Sequence, residues 1–193
     1  MRLRLFCSAL ALFIAAAALA QAPVARDKAS ITVDGKAITI EYGRPALKGR
    51  SFDELIKKLP ADRIWRAGSG PVTILQSEIP LTIGGKKIAA GKYSLYVHCP
   101  EQGDYSLVVN KDLGQPLSKI FAAAPPAQAN DPYPYFDYTK EIGDQEVARA
   151  PMKKINGPAS DVFTITFKPA KAGAVMLMAW GDRNWSIDIS TGK

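Results

Sequence analysis

Two short segments of the sequence hold arginine residues that could bind an anionic or sugar-like ligand. One is GRPALKGR, from Gly43 to Arg50, and the other is RIWRAGSG, in which a tryptophan lies between two arginines. Guanidinium groups donate paired hydrogen bonds to carboxylates and phosphates, and an indole ring offers a flat stacking face. The candidate ligand-binding residues are Arg44, Lys48, Arg50, Trp65, Arg66 and, from a separate strand, His98. The alternative is that the arginines bind loop carbonyls and only stabilise the fold.

His98 is the single histidine of the chain, and it stands beside Cys99, the one cysteine outside the first twenty residues. A hydrolase would need a nucleophile within hydrogen-bonding distance of this imidazole. Adjacent strand residues point to opposite faces, so His98 and Cys99 meet only where the strand ends or bulges. Ser94 and Ser106 are other candidate nucleophiles, but the sequence lacks a G-x-S-x-G turn. A hydrolase using His98 is therefore an alternative, no catalytic residue is assigned, and the balance favours a protein that is not an enzyme.

No metal or cofactor is predicted from the ligand types that the sequence offers. A blue-copper centre needs two histidines with the cysteine, and the chain has one. A zinc site would need His98 and several converging carboxylates, which no spacing pattern indicates. Met176 and Met178 share a strand face and could bind Cu(I), although core packing is the favoured interpretation. The GGKK segment at Gly84 lacks the spacing of a phosphate-binding loop and is interpreted as a turn.

The first twenty residues, 1–20, have the pattern of a secretory signal peptide. Arg2 and Arg4 form a basic start, residues 5–19 are apolar, and Ala18-Leu19-Ala20 is a small-x-small cleavage site. The pattern predicts an exported protein, periplasmic or extracellular, with no membrane span after cleavage. Lysine and arginine are scattered along a chain of formal net charge +7, so no nucleic-acid partner is expected.

The elements that would position these residues are mostly strands. Lys92 to His98 alternates apolar and polar residues, as a half-buried strand does, and the alternation resumes from Tyr105 to Val109 after a turn. Cys99 continues the inward face of the first of these strands, which predicts a buried, unreactive thiol. Similar segments along the chain predict an all-β fold, an antiparallel β-sandwich of about nine strands. It would be a single domain over residues 30–193, after a flexible leader at residues 21–29.

One short α-helix is predicted between residues 51 and 59. Ser51 and Glu54 form a capping box, and apolar residues recur at helical spacing until Pro60 ends the segment. The apolar stripe consists of Phe52, Leu55, Ile56 and Leu59. This stripe should dock on one edge of the core, with Leu55 contributing as a buried residue.

A segment rich in proline and tyrosine, residues 122–138, is predicted to be a surface loop. Its aromatic residues are Tyr133, Tyr135, Phe136 and Tyr138. Prolines reduce the entropy that such a loop loses on binding, so the aromatic rings could stack on a carbohydrate or contact an envelope partner. The alternative is that they fold back over the apolar strand predicted from Val175 to Trp180.

Five motifs in order give the sequence a resemblance to a known family. They are EYGRP followed by KGR, IWRAG, IGGKKIAAGKYSLY, NKDLGQ and VARAPMK. From Ile31 to Ile189 the chain resembles a family of exported bacterial proteins defined only as a domain of unknown function. The resemblance implies one exported, mostly β domain and supplies no activity. Members commonly continue WR-x-G with Asn and an acidic residue, where this chain has Ser69-Gly70-Pro71, and residues 122–138 resemble an insertion.

The first functional hypothesis is an exported β-sandwich domain that binds a small anionic, carbohydrate or envelope ligand without catalysing a reaction. Two alternatives stay open: a hydrolase using His98, and a structural or interaction protein of the cell envelope. Convergence of Arg44, Trp65, Arg66 and His98 on one pocket would favour the first hypothesis.

Overall fold

The computed structural model describes residues 25–191, which form two antiparallel sheets packed face to face. The predicted signal peptide lies outside the described residues, as do residues 21–24 of the predicted leader. The first strand begins at Arg26, which is opposite Gly43, and it continues through Ala29, opposite Ile40. The last four residues of the predicted leader are therefore strand.

In the described part, the strands in chain order are β1 (Arg26–Val33), β2 (Lys36–Gly43), β3 (Ile64–Trp65), β4 (Thr73–Ser77), β5 (Leu81–Ile83), β6 (Lys86–Ile88), β7 (Gly91–His98), β8 (Ser106–Asn110), β9 (Gln115–Pro116), β10 (Pro132–Tyr133), β11 (Glu146–Pro151), β12 (Lys153–Lys154), β13 (Ser160–Ala170), β14 (Gly173–Gly181) and β15 (Arg183–Thr191). The helices of these residues are α1 (Phe52–Ile56), α2 (Leu117–Ile120), α3 (Tyr138–Glu141) and a 3-10 turn at Gly143–Gln145. The predicted all-β class and antiparallel sandwich are confirmed. Strands outnumber the expected nine because several, such as β3 and β12, have two residues, too few to show a periodicity.

The first sheet has the strand order β1-β2-β4-β7-β8-β11, with β3 paired to the end of β7. The second sheet has the order β13-β14-β15-β5-β6, with β12 beside β15. A short ribbon of β9 and β10 lies outside both sheets. The predicted turn at Gly84 joins β5 to β6, and Gly84 and Gly85 both have positive φ, as a two-residue hairpin turn requires.

The inner faces of the two sheets form one hydrophobic core, and a buried tyrosine joins them directly. The Tyr42 hydroxyl accepts a hydrogen bond from the Ile165 N–H at 3.0 Å and donates to the Ile165 carbonyl at 3.3 Å. Its ring meets Phe163 edge-on, with the ring centroids 5.6 Å apart. Met176 and Met178 are buried in the same core, so they are packing residues as favoured.

Aromatic side chains fill one end of the sandwich. Trp65 of β3 stacks on Trp180 of β14, with centroids 5.2 Å apart and ring planes 17° from parallel. Phe163 meets the Trp65 ring edge-on at 4.9 Å, and Phe52 of α1 packs against both tryptophans. The two sheets and the helix are therefore joined through these rings. Aromatic pairs in such geometries stabilise a fold by more than the burial of their apolar area alone.

The alternation of β7 is present, but its outer face is not exposed. Leu95 and Val97 are buried on the inner face, and Cys99, which follows the strand, is also fully buried, as predicted. Ser94 and Tyr96 on the opposite face are buried as well, so the prediction of a half-buried strand was wrong there. The reason is that another part of the chain packs over this face.

That part is residues 111–145, called here the covering segment. Tyr138 of α3 packs against Tyr96 with ring centroids 4.8 Å apart, and Ile142 belongs to the same small cluster. Of the aromatics that could return over the Val175–Trp180 strand, Tyr138 and Tyr135 instead pack against the cluster on β7 of the other sheet. The outward residue Leu177 of β14 is half-buried rather than covered.

Helix α1 has the predicted capping box but is shorter than predicted. The Glu54 N–H donates to the Ser51 Oγ at 3.2 Å, and the Ser51 N–H donates to the Glu54 carboxylate at 2.7 Å. After Ile56 the hydrogen bonds tighten, with the Lys58 N–H donating to Leu55 and the Leu59 N–H to Ile56, each to the residue three before it. The α-helix therefore ends before Leu59 in a tighter turn.

Truncation of Ile56 should destabilise the protein more than truncation of Leu55. Ile56 is buried in the core, whereas Leu55 is only partly buried. We expect Ile56→Ala to lower the free energy of unfolding by about 2–5 kcal/mol and Leu55→Ala by less. Chemical denaturation of both variants measures this, and an equal loss would contradict the docking of α1 through Ile56.

The Cys99 thiol should be unreactive in the folded protein. Its side chain is fully buried, and this burial raises its pKa to about 12, so the thiol stays protonated at neutral pH. We expect slow maleimide labelling of the native protein and fast labelling after unfolding. Cys99→Ser should lower the free energy of unfolding by about 1–3 kcal/mol because it buries a hydroxyl, with Cys99→Ala as the control that adds no polar group. Fast labelling of the native thiol would refute the burial.

Candidate functional site

A cleft of about 500 Å³ opens beside the stacked Trp65 and Trp180 rings. Most of its lining comes from α1 with the turn that follows it, the segment from Ile64 to Ser69, and the covering segment. The remaining lining residues are Pro45, Arg50, Tyr96 and Trp180. The covering segment contributes Ile120, Tyr133, Pro134, Tyr135, Phe136 and Tyr138. The volume lies in the range of about 300–1,000 Å³ that is usual for small-molecule sites.

The loop that forms the centre of the cleft has a strained backbone. Arg63 and Ala67, on either side of the Trp65-Arg66 pair, have φ of 56° and 48°, which residues other than glycine seldom adopt. Side-chain hydrogen bonds hold this shape: the Trp65 Nε1–H donates to the Gly68 carbonyl at 3.2 Å, and the Thr73 hydroxyl donates to the Ala67 carbonyl at 2.8 Å. Such strain persists where the surroundings fix it, and it is common at functional sites.

Two glycines let this loop lie directly on strand β2. A Cβ added to Gly43 would overlap the Ser69 carbonyl, and one added to Gly68 would lie 2.9 Å from the Gly43 carbonyl oxygen. The EYGRP and WRAG motifs thus meet through their glycines. Neither glycine can be replaced without moving the loop that carries Arg66.

Arg66 brings a partly buried positive charge to the cleft. Its guanidinium donates to the Gly70 carbonyl at 3.3 Å, and no carboxylate among residues 25–191 forms an ion pair with it. Burial lowers the pKa of Arg66, and the nearby Tyr133 and Tyr96 hydroxyls act in the opposite direction. An arginine stays protonated at neutral pH even so, and most of its five N–H donors are left for a ligand.

Three residues of the cleft lining also carry a buried polar side-chain atom without a hydrogen-bond partner. Among the described residues, these orphaned buried atoms are the Ser69 Oγ, the Tyr96 hydroxyl and the Trp180 Nε1. Tyr96 is 2% exposed and Trp180 is 4% exposed. Each unpaired group costs about 1–3 kcal/mol, so native proteins keep few of them. Among the described residues, all three orphaned atoms belong to side chains of this one cleft.

Of the predicted ligand-binding residues, the structure brings Arg50, Trp65 and Arg66 to the cleft. Arg50 is occupied by its own loop, since its Nε donates to the Leu47 carbonyl at 2.9 Å. Trp65 is mostly buried in the core and offers little free ring face. Arg66 therefore keeps the clearest capacity to bind.

Arg44 and Lys48 lie elsewhere. Arg44 donates to the Phe163 carbonyl and to the Thr164 hydroxyl, each at 3.4 Å, and forms an ion pair with Asp27 at 3.2 Å. It joins the two sheets, so the alternative of a structural arginine fits this residue. Lys48 is exposed and does not line the cleft.

His98 is also outside the cleft. It ends β7, opposite Ile64 on one side and Ser106 on the other. Burial lowers its pKa, as does Arg149, against smaller raising effects of Asp62 and Glu146. Of the four residues whose convergence would favour ligand binding, Trp65 and Arg66 therefore meet in the cleft, whereas Arg44 and His98 do not.

The lining of the cleft offers little machinery for acid–base or metal chemistry. Its one carboxylate, Asp62, accepts a hydrogen bond from the Ile64 N–H at 3.2 Å, and none of its residues is histidine or cysteine. Across the described chain, no cluster of three or more histidine, cysteine, aspartate or glutamate residues is placed to hold a metal ion. Cys99 is buried beneath β7, and its Sγ contacts only the Val97 carbonyl as a polar partner, at 3.7 Å.

Sequence reasoning missed Tyr96, Trp180, Ser69 and Asp62 as cleft residues. Tyr96 had a partial signal, because it lies on the polar face of an otherwise apolar strand. Trp180 had none, since it ends an apolar run and looks like core. The two predicted features, the Trp-Arg loop and the Tyr-rich segment, form one site, although more than sixty residues separate them.

None of the helices within residues 25–191 combines the length and apolar character needed to cross a lipid bilayer.

Comparisons with known proteins give a family and no activity. Neither the curated proteins nor the solved structures yielded a significant match. The model of a family described as "Protein of unknown function (DUF2911)" matches residues 24–189, which is most of the chain. The protein therefore belongs to the DUF2911 family.

Proposed function

We propose that this protein is exported and binds a small anionic or sugar-like ligand in the cleft beside Trp65 and Trp180, without catalysing a reaction. The observation that carries the proposal is that Arg66, whose guanidinium has no carboxylate partner among residues 25–191, lines the same cleft as Tyr96 and Trp180, whose buried donors are unpaired. Aromatic rings of the covering segment complete its wall. A hydrogen-bonding ligand would offset the cost of leaving these groups unpaired.

Export is proposed from the sequence of the first twenty residues. A basic start, an apolar run and the Ala18-Leu19-Ala20 site together favour cleavage before Gln21. Mass spectrometry of the protein from an envelope or culture fraction would test this by giving the mature N-terminus. An intact Met1 in the cytoplasmic fraction would contradict it.

The hydrolase alternative receives less support. General acid–base catalysis needs a positioned titratable group within reach of the reacting atoms. His98 is outside the cleft, and Cys99 is buried on the opposite face of the strand. Asp62 is the one carboxyl group in the lining, so the paired carboxylates or the carboxylate with histidine that many hydrolases use are absent from it.

The alternative of an interaction protein rests on the aromatic residues of the covering segment. Tyr138 is buried, and Tyr133 and Tyr135 are half-buried, so these rings offer limited area to another protein. The exposed aromatic side chains of the segment are Phe136, which is 75% exposed beside the opening of the cleft, and Phe121, which is 52% exposed and outside the cleft lining. This distribution favours a small ligand that enters among the rings over a broad contact with a partner.

Replacing Arg66 should abolish the binding of an anionic probe. We expect Arg66→Met, which keeps the length of the side chain without its charge, to raise the Kd for the bound probe about 10- to 100-fold. Calorimetric titration with glucuronate, inorganic phosphate and glucose provides the measurement. Lys48→Met is the matched control, because Lys48 is exposed outside the cleft, and its Kd should equal that of the unaltered protein. Equal binding by the Arg66 variant would refute the proposed site.

The stability of two arginine variants should separate binding from structural roles. Arg44 donates hydrogen bonds to two residues of the second sheet and forms an ion pair with Asp27. Arg66 makes one long hydrogen bond to its own loop. We expect Arg44→Met to lower the free energy of unfolding by about 1–3 kcal/mol and Arg66→Met by less than about 1 kcal/mol. Denaturant titration compares them. If Arg66→Met destabilised the protein as much as Arg44→Met, Arg66 would be a structural residue.

A further inference from the structure

The chemistry of the cleft restricts the kind of ligand it suits. The Arg66 guanidinium and the Trp180 Nε1–H can only donate hydrogen bonds, and the Tyr96 and Ser69 hydroxyls can donate as well. Asp62 is the acceptor-only side chain of the lining, and it already accepts from the Ile64 N–H. A ligand that satisfies this set must therefore present acceptor oxygens.

The charge of the cleft points the same way. Arg66 is partly buried, and within the described chain it has no carboxylate partner. A cation removed from water without a counter-ion is unfavourable, so an anion placed against it gains a charge-assisted contact. A planar carboxylate fits the fork of a guanidinium with two parallel hydrogen bonds, and its two oxygens have lone pairs left for the Tyr96 hydroxyl.

The wall of the cleft favours a ring. Tyr133, Tyr135 and Phe136 form one side, and Pro132 and Pro134 restrict the backbone that carries them. Arg66 and Tyr133 both line this cleft. The charged end of a ligand and an aromatic face are thus neighbours, which suits a six-membered ring attached to the anionic group.

We propose that the cleft binds a six-membered ring that carries a carboxylate, with the carboxylate on Arg66 and Tyr96 and the ring against the aromatic residues 133–136. This inference rests on the proposed function and narrows it. The shared chemistry occurs in two kinds of compound, the uronic acids, in which the ring is a pyranose, and the aromatic carboxylic acids. The site prefers either acid to the neutral compound with the same ring.

Calorimetric titration with two matched pairs tests the inference on the purified protein. The pairs are glucuronate with glucose, and benzoate with benzyl alcohol. We expect the acid of at least one pair to bind at least 10-fold more tightly than its neutral partner, and the pair that shows the larger difference identifies the ring. Acetate, which has the carboxylate without a ring, should bind more weakly than the preferred acid.

Variants tie the preference to named groups. Arg66→Gln should remove the difference between acid and neutral compound, and Tyr96→Phe should weaken the acid several-fold while Lys48→Met changes nothing. Asp62→Asn should tighten binding of the acid, because it removes from the cleft a negative charge that repels the carboxylate. Loss of binding in Asp62→Asn would indicate a zwitterionic ligand and overturn the assignment of a simple acid.

The outcomes separate this inference from the proposed function. If a neutral compound binds as tightly as its acid and Arg66→Gln or Tyr96→Phe weakens both, the cleft is a binding site and the preference for a carboxylate is wrong. If only phosphate binds, the site recognises an anion without a ring, and the inference is again wrong while the function stands. If none of these probes binds at millimolar concentration, the inference and the proposed function fail together.

Discussion

The stacking of Trp65 on Trp180 is the contact on which the cleft depends. The two rings belong to different sheets, so their 5.2 Å approach sets the spacing of the sandwich at this end. The same Trp65 donates its indole N–H to Gly68, which fixes the turn that follows it and so the direction of Arg66. Phe52 packs on both rings and thereby docks α1. The same contacts therefore pack this end of the core and determine the shape of the cleft.

Elsewhere in residues 25–191 the buried side-chain polar atoms have hydrogen-bond partners, which makes the cleft unusual. Tyr42 exchanges two hydrogen bonds with Ile165, and the Asn110 side chain donates to the Tyr138 hydroxyl at 2.9 Å and to the Ile142 carbonyl at 2.8 Å. These buried side chains are paired, whereas the Tyr96 hydroxyl at the cleft is not. The unpaired hydroxyl lowers the stability of the fold at the cleft. Local departures of this kind are expected at functional sites.

Local patterns in the sequence predicted local structure well, and they failed for contacts between distant segments. The alternation of β7, the Ser51 capping box and the burial of Cys99 each depend on neighbours along the chain. The roles of Arg44 and Arg66 do not, because the two residues have the same side chain and differ only in what the fold places beside them. Arg44 meets Phe163, 119 residues away, whereas Arg66 meets the aromatic wall of the cleft. No periodicity encodes such pairings, so the sequence could not separate the structural arginine from the one in the cleft.

The covering segment determines how the site can vary. It is fixed to the first sheet at both ends of its aromatic stretch, where the Val72 N–H donates to the Pro132 carbonyl at 2.7 Å and Asn110 binds Tyr138. Between these anchors, residues 133–136 face the cleft and contribute little to the core. The opposite side, with Arg66, is held by close glycine contacts and a strained turn that tolerate little change. Changes in residues 133–136 can therefore reshape one wall of the cleft while Arg66 stays in place, which under the proposed function would change the ring and not the anionic group of the ligand.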